Sequence, residues 1–262
     1  WSTEPLAAIV NILWDSVSTA ATYPCFSSAA TTLYLPLLGV KDNYKTTYIT
    51  IQNTEDANAS LTMHFYDRNG SYTGSLSDSL TPKTARKYYQ QWIPESSFPA
   101  TDGHGSAYIT SDRRIAAVVS MHTDTNWSEG YSAVAAGDTV LWVPGVFRRD
   151  NNNGTWNYNA TTVQNLGDQP AEVEIDFIKP DGTLQNRIYD TIQPKAAAGY
   201  NLKVPGTMNE DLWNAMVGPL GTYWNGTMKV TCTNGQPLTG FSIYIAGSTG
   251  VVDYVGYSAI RE

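Results

Sequence analysis

Sliding the 262-residue sequence by 112 positions lays residues 47–88 on residues 159–200 without a gap, and 12 of the 42 positions are identical. Unrelated segments of that length share about three, so the chain carries an internal repeat. The matches include Gln52-Asn53 with Gln164-Asn165, Phe65 with Phe177, Gly70 with Gly182, and Pro82-Lys83 with Pro194-Lys195. Upstream, Leu33-Tyr34-Leu35-Pro36 matches Leu141-Trp142-Val143-Pro144, and downstream Gly130-Tyr131-Ser132-Ala133 recurs as Gly256-Tyr257-Ser258-Ala259. The offset grows from 108 to 126 along the chain, so the second copy carries insertions. A repeat confines the fold to one module made twice: residues 1–31 form an extension, 32–136 a first module and 138–262 a second.

Each module reads as β. Leu61, Met63 and Phe65 alternate with Thr62, His64 and Tyr66, and the second copy repeats this as Val173, Ile175 and Phe177 against Glu172, Glu174 and Asp176. Period two puts the first set in a core and the second in solvent. Asp67-Arg-Asn-Gly70 and Lys179-Pro-Asp-Gly182 follow at once, with glycine supplying the positive φ of a hairpin turn. Seven or eight short strands in each module is the arithmetic of an Ig-like sandwich, so the fold class expected is all-β, with two tandem Ig-like antiparallel sandwiches. One short helix is expected in the second module, opened by the capping box Thr207-x-x-Glu210, carrying Leu212, Trp213, Met216 and Val217, and stopped by Gly218-Pro219.

The extension holds an apolar piece whose period is ambiguous. Leu6, Ile9, Val10, Leu13 and Val17 share a helical face, yet Leu6, Val10, Ile12 and Trp14 also alternate as in a strand. Either way the piece calls for a host groove, which is either its own first module or a neighbouring copy. Leu6, Ile9, Val10, Ile12, Leu13 and Trp14 are therefore assigned as an assembly tail, docking by strand addition into the next subunit. Head-to-tail docking does not close on itself, so the partner expected is the chain itself, in a filament, tube or surface layer.

Composition fits a secreted protein. Charged residues are 15% of the chain, with net charge −8, while Thr (30), Ser (20) and Asn (18) supply the polarity. So few cations exclude a nucleic-acid or anionic-membrane binder, and the longest apolar run is too short to span a bilayer. No Lys or Arg precedes Lys41, so Trp1 reads as the start of a processed chain, and the location expected is extracellular. Cys25 and Cys232 read as a disulfide, within or between chains, because Ser111 replaces Cys232 in the first copy and the module itself needs no thiol there. Asn58, Asn69, Asn126, Asn153, Asn159 and Asn225 begin Asn-x-Ser/Thr sequons that admit glycans.

Chemistry is sparse. His64, His104 and His122 form no zinc or triad motif, and no nucleophile elbow or phosphate loop occurs. Glu172, Glu174 and Asp176 offer carboxylates of the kind glycosidases pair, but acids alternating on one strand are an ordinary solvated face. Asp150-Asn-Asn-Asn-Gly154 lacks the closing Glu of a calcium loop. No catalytic, cofactor or metal residues are assigned, and the chain is read as a non-enzyme. The rival is a carbohydrate-binding adhesin that presents Trp92, Trp127, Trp156 and Trp224 to sugars.

With the paired YLP and WVP strands, the Gln-Asn plus hairpin core and the closing GYSA, the modules resemble tandem sandwich repeats of secreted bacterial surface proteins. The layout of a loose tail before an Ig-like body is similar to pilin subunits that polymerise by donor-strand exchange. That resemblance implies a structural role, although such pilins carry one module and this chain carries two.

Overall fold

A computed structural model describes residues 9–14, 19–24, 29–39, 46–96, 104–122, 128–150, 154–205, 208–248 and 251–261. The described residues are all-β with one short α-helix. The extension forms β1 (Ile9–Trp14) and β2 (Thr19–Pro24). The first half continues with β3 (Ala30–Gly39), β4 (Thr46–Asn53), β5 (Ala59–Asp67), β6 (Tyr72–Leu80), β7 (Ala85–Tyr89), β8 (His104–His122) and β9 (Ser128–Ser132). The second half holds β10 (Val140–Asp150), β11 (Trp156–Asn165), β12 (Ala171–Ile178), β13 (Leu184–Ile192) and β14 (Ala197–Asn201). It ends with α1 (Glu210–Val217), β15 (Tyr223–Cys232), β16 (Leu238–Ser248), β17 (Val251–Ser258) and β18 (Ile260–Arg261).

The repeat seen in the sequence reappears in the pairing. In the first half β6-β5-β8-β3 lie side by side, as do β7-β4-β8-β9; in the second the sets are β13-β12-β15-β10 and β14-β11-β16-β17. One strand, β8, does in the first half what β15 and β16 do together in the second. The break has a local cause: Asn234-Gly235 turns the second copy, with Gly235 at φ +79°, whereas Asp112-Arg113-Arg114 at the matching place stays extended. The immunoglobulin order, with A beside B and D beside E, is not reproduced. Here β3 pairs with β8 instead of β4, and β6 with β5 instead of β7.

Identical residues of the two copies do identical work. Asn53 and Asn165 are fully buried. Asn53 Nδ2 donates to the carbonyls of Ala57 (2.7 Å) and Leu80 (3.2 Å), and Asn165 Nδ2 to those of Gln169 (2.7 Å) and Ile192 (3.0 Å). Each Asn Oδ1 accepts the N–H two residues on, from Glu55 and Gly167. Lys83 and Lys195 both take positive φ (59° and 63°) and reach back to Thr54 O and Leu166 O. Each also pairs with the matching acid, Lys83 with Asp56 at 3.3 Å and Lys195 with Asp168 at 2.9 Å. Tyr88 and Tyr200 donate to Asp78 and Asp190. A loop that loses hydrogen bonds to water must recover them inside, and these side chains are how both copies do so.

The helix forms, with a different cap from the one its sequence suggests. Asn209 Oδ1 accepts from Asp211 N (2.9 Å) and Leu212 N (3.3 Å), while Thr207 lies outside the described residues. Met216 and Val217 enter the second core, and Trp213 Nε1 donates to Asn201 O at 2.9 Å.

The halves are not independent beads. Phe241, Ile243 and Ile245 of β16 belong to the core of the first half, together with Leu35, Ile49 and Phe65, while Leu238 on the same strand belongs to the second core. Between the halves Gly137 has no room for a Cβ, which would fall 2.4 Å from Leu238 O. Among the described residues no helix is long and apolar enough to cross a membrane.

Candidate assembly surface

The ambiguity of the extension resolves to strand, and to a hairpin. β1 and β2 pair antiparallel from Ile9↔Pro24 to Trp14↔Thr19, and β2 lies against β9 of the first half. The tail is therefore not a lone donor strand; one of its edges is already satisfied by its own chain. Among the described residues the other edge of β1 has no strand partner. Val10 is half-buried; Leu6 and the side chains of Ile9, Ile12, Leu13 and Trp14 lie outside the described residues. Thr19, Thr22 and Tyr23, residue types favoured in strands, are the signal in the sequence for a second strand.

Beside that hairpin runs the seam between the halves. The turn after β5 docks on the second half: Arg68 Nη2 donates to Gly199 O at 3.3 Å, and a Cβ at Gly70 would fall 2.6 Å from Gln193 Cβ. Gln164 Nε2 donates to Ala107 O (3.1 Å) and Lys195 O (2.9 Å), and Lys195 Nζ sits over the rings of Tyr34 and Tyr108 at 5.6 and 5.7 Å. At the other end of the seam Tyr131 packs on Phe241 with ring centroids 4.7 Å apart, and its hydroxyl donates to Leu37 O. There Glu129 is 3% exposed and reaches Gly256. A cleft of about 80 Å³ lies between the halves, walled by Leu37, Arg68, His104, Ala160, Tyr200 and Ile243.

The expected bridge is absent from this chain. Cys232 is a free thiol, 6% exposed, inside the second core; its sulfur bonds to Asn234 Oδ1 at 3.1 Å and accepts from Gln236 N at 3.2 Å. A sulfur so occupied serves the Asn234-Gly235 turn. Cys25 lies outside the described residues. Of the sequons, Asn58, Asn69 and Asn225 are exposed, while Asn126 and Asn153 lie outside the described residues. Asn159 is fully buried, with its amide nitrogen donating to Ser242 Oγ (3.1 Å) and Tyr257 Oη (2.9 Å), so this fold has no place for a glycan there.

The acidic strand is not simply solvated. Arg187 binds Asp176 through Nε (2.6 Å) and Nη2 (2.9 Å) and Glu174 at 2.9 Å, and Asp176 is 8% exposed. His64 stacks on Tyr108 at 4.5 Å, and burial lowers its pKa. Among the described residues no group of three His, Cys, Asp or Glu is placed to hold a metal.

The four tryptophans do not make one platform. Trp92 is 69% exposed beside Tyr89; Trp156 has Lys203 Nζ 3.4 Å above its ring; Trp224 is buried edge-on to Phe177; Trp127 lies outside the described residues. An aromatic cluster that sequence reasoning missed crosses β3, β8, β5 and β6: Tyr34 meets Tyr108, Tyr108 meets His64 and Tyr66, and both of these meet Tyr72. Its signal was present in the alternation, since His64 and Tyr66 fall on the outward set of β5.

No protein-family model and no curated protein matches the chain. Among solved structures, the Thermotoga maritima 1070 protein is 12% identical with a TM-score of 0.36, covering 48% of this chain and 96% of that one. A beta-glucuronidase from glycoside hydrolase family 2 is 9% identical with a TM-score of 0.18, over 88% of this chain and 23% of the enzyme. The viral chemokine binding protein R17 of rodent gammaherpesvirus Peru is 7% identical with a TM-score of 0.22, over 94% and 90%. Likenesses this weak assign no function.

Proposed function

We propose that the chain is a non-enzymatic, extracellular structural subunit that associates with further copies of itself through the β1–β2 hairpin. Each half is read as an antiparallel sandwich of its own strand order, two four-stranded layers over one core. The observation that carries the reading is the unpartnered edge of β1. An open edge presents a row of N–H and C=O groups that another chain can pair, adding main-chain hydrogen bonds with side-chain pockets for specificity. Low charge favours close packing of copies. The exposed Asn58, Asn69 and Asn225 are read as glycan acceptors that solubilise the assembled surface.

Proline tests the edge. Neighbouring residues of β1 point their N–H groups alternately toward β2 and away from it, so of Asn11→Pro and Ile12→Pro one strikes the free edge and the other the hairpin. The expected outcome by light scattering is that the free-edge variant stays folded and monomeric at concentrations where the unaltered chain associates. Unchanged association in both variants overturns the reading.

Trp92, exposed beside Tyr89 with Lys87 Nζ over Tyr48 at 4.9 Å, favours a second reading as a carbohydrate-binding adhesin. A glycan array in which the monomer binds and Trp92→Ala does not would reverse the order of the two.

A further inference from the structure

Glu129 has no counterpart in the repeat. The matching residue of the second copy is Val255, which is exposed, so the module does not need a carboxyl at this position. Yet Glu129 sits on the inward face of β9, opposite Met121 of β8, almost wholly buried. Its seat is made by the other half of the chain. Gly256 of β17 donates its backbone N–H to the carboxyl, and a Cβ at Gly256 would stand 2.2 Å from Glu129 Oε2 and 2.3 Å from Phe241 Cζ. Only glycine admits this approach. Glu129 Oε1 is buried with no hydrogen-bond partner. An ionised carboxylate needs several donors or a cation, and here one amide is offered, so the neutral acid is the form that fits.

The groups around it leave that imbalance in place. On β8, His122 meets Tyr48; on β9, Tyr131 is bonded to Leu37; on β16, Tyr244 accepts from Asn157; on β17, Tyr257 donates to Pro144 O. The remaining titratable groups on β2, β9, β16 and β17 are Tyr23, Asp253 and Tyr254, none of them a cation, and the cations of β8, Arg113 and Arg114, lie seven or more positions along the strand from Met121, with Arg114 paired to Glu55. We propose that Glu129 is a proton-controlled latch: neutral, it seats on Gly256 and closes the β9–β17 seam between the halves; ionised, it weakens that seam. Burial, opposed only by the Gly256 N–H, pushes the carboxyl up to about 8. When the seam opens, the group returns to water and to an ordinary value of about 4.3. The closed state therefore holds a proton that the open state lacks between these two values. Closure is strongest in acid, weakens as pH rises through that window, and levels off above about 8.

Amide exchange of the full chain, corrected at each pH for intrinsic rates, reads this out. The opening constant of β9 and β17 is expected to rise about tenfold per pH unit from pH 5 to pH 8 and then flatten. Protection of β12 and β13 should not follow it. Glu129→Gln keeps the amide contact without the charge and should be flat throughout, whereas Asp253→Asn should retain the bend. A second measurement does not depend on the variants folding: carbon NMR of the glutamate side chains should show one carboxyl titrating near 8. The same pH dependence in Glu129→Gln, or all glutamates titrating between about 4 and 5, would overturn the latch.

Discussion

At the scale of single residues, the repeat supplies its own controls, because one pair can be compared in two settings. Tyr88 and Tyr200 each donate to a buried-side aspartate, yet Asp78 and Asp190 shift in opposite directions. Burial raises both. At Asp78 it is outweighed by hydrogen bonds from Tyr88, the Ser79 N–H and Arg86; at Asp190 burial prevails over Thr191 N–H and Tyr200. The residue that differs is Arg86, replaced at the matching place by Ala198. Asp78, held low, stabilises the fold above its unfolded value of about 3.9 and ceases to do so as pH falls through its depressed folded value. Asp190, held high, favours the fold in acid and loses that contribution as pH rises past about 3.9. Asp78→Asn should therefore destabilise at pH 7, by less than about 1 kcal/mol because its ion pair with Arg86 is partly exposed, and Asp190→Asn should stabilise. Urea denaturation at pH 7 and pH 3 checks both signs, and equal signs at pH 7 would contradict the assignment. What the sequence conveyed here was identity of residues between copies. It did not convey the role of Arg86, because nothing marks a cross-strand neighbour until the register is known.

At the scale of elements, the hairpin turns at Gly70 and Gly182 were legible because glycine at positive φ recurs at fixed spacing in the two copies. The strands were legible because burial on one face alternates. Three things were not. The cap of α1 passed from Thr207 to Asn209, a shift that spacing alone does not decide. The second strand of the extension hid in a small-residue segment with little hydrophobic contrast. The third is β16, whose run of buried residues reads as one core strand but serves two cores, because period two says nothing about which neighbour covers each face. Phe241, Ile243 and Ile245 finish the core of the first half from outside it. Phe241→Ala should cost about 3–5 kcal/mol, the usual cost of emptying a buried aromatic site. It should also loosen β9 and β3, which belong to the other half, as seen in amide exchange. Loss confined to the second half would contradict the shared core.

At the scale of the whole molecule, two copies of one strand order are locked by a seam, and an unmatched hairpin stands beside it. Two of the positions where the copies differ, Glu129 against Val255 and Arg68 against Pro180, fall at the seam, and the seam could not be foreseen because contact between copies leaves no period in the sequence. The hairpin has no counterpart in the repeat, and its second strand, β2, lies next to β9, the strand that the seam also uses. The central claim is that this edge joins one copy to the next. Electron microscopy of the full chain beside a chain lacking residues 1–24 tests it most directly: the account requires ordered assemblies from the first and dispersed single particles from the second, and assemblies from both, or from neither, would contradict it.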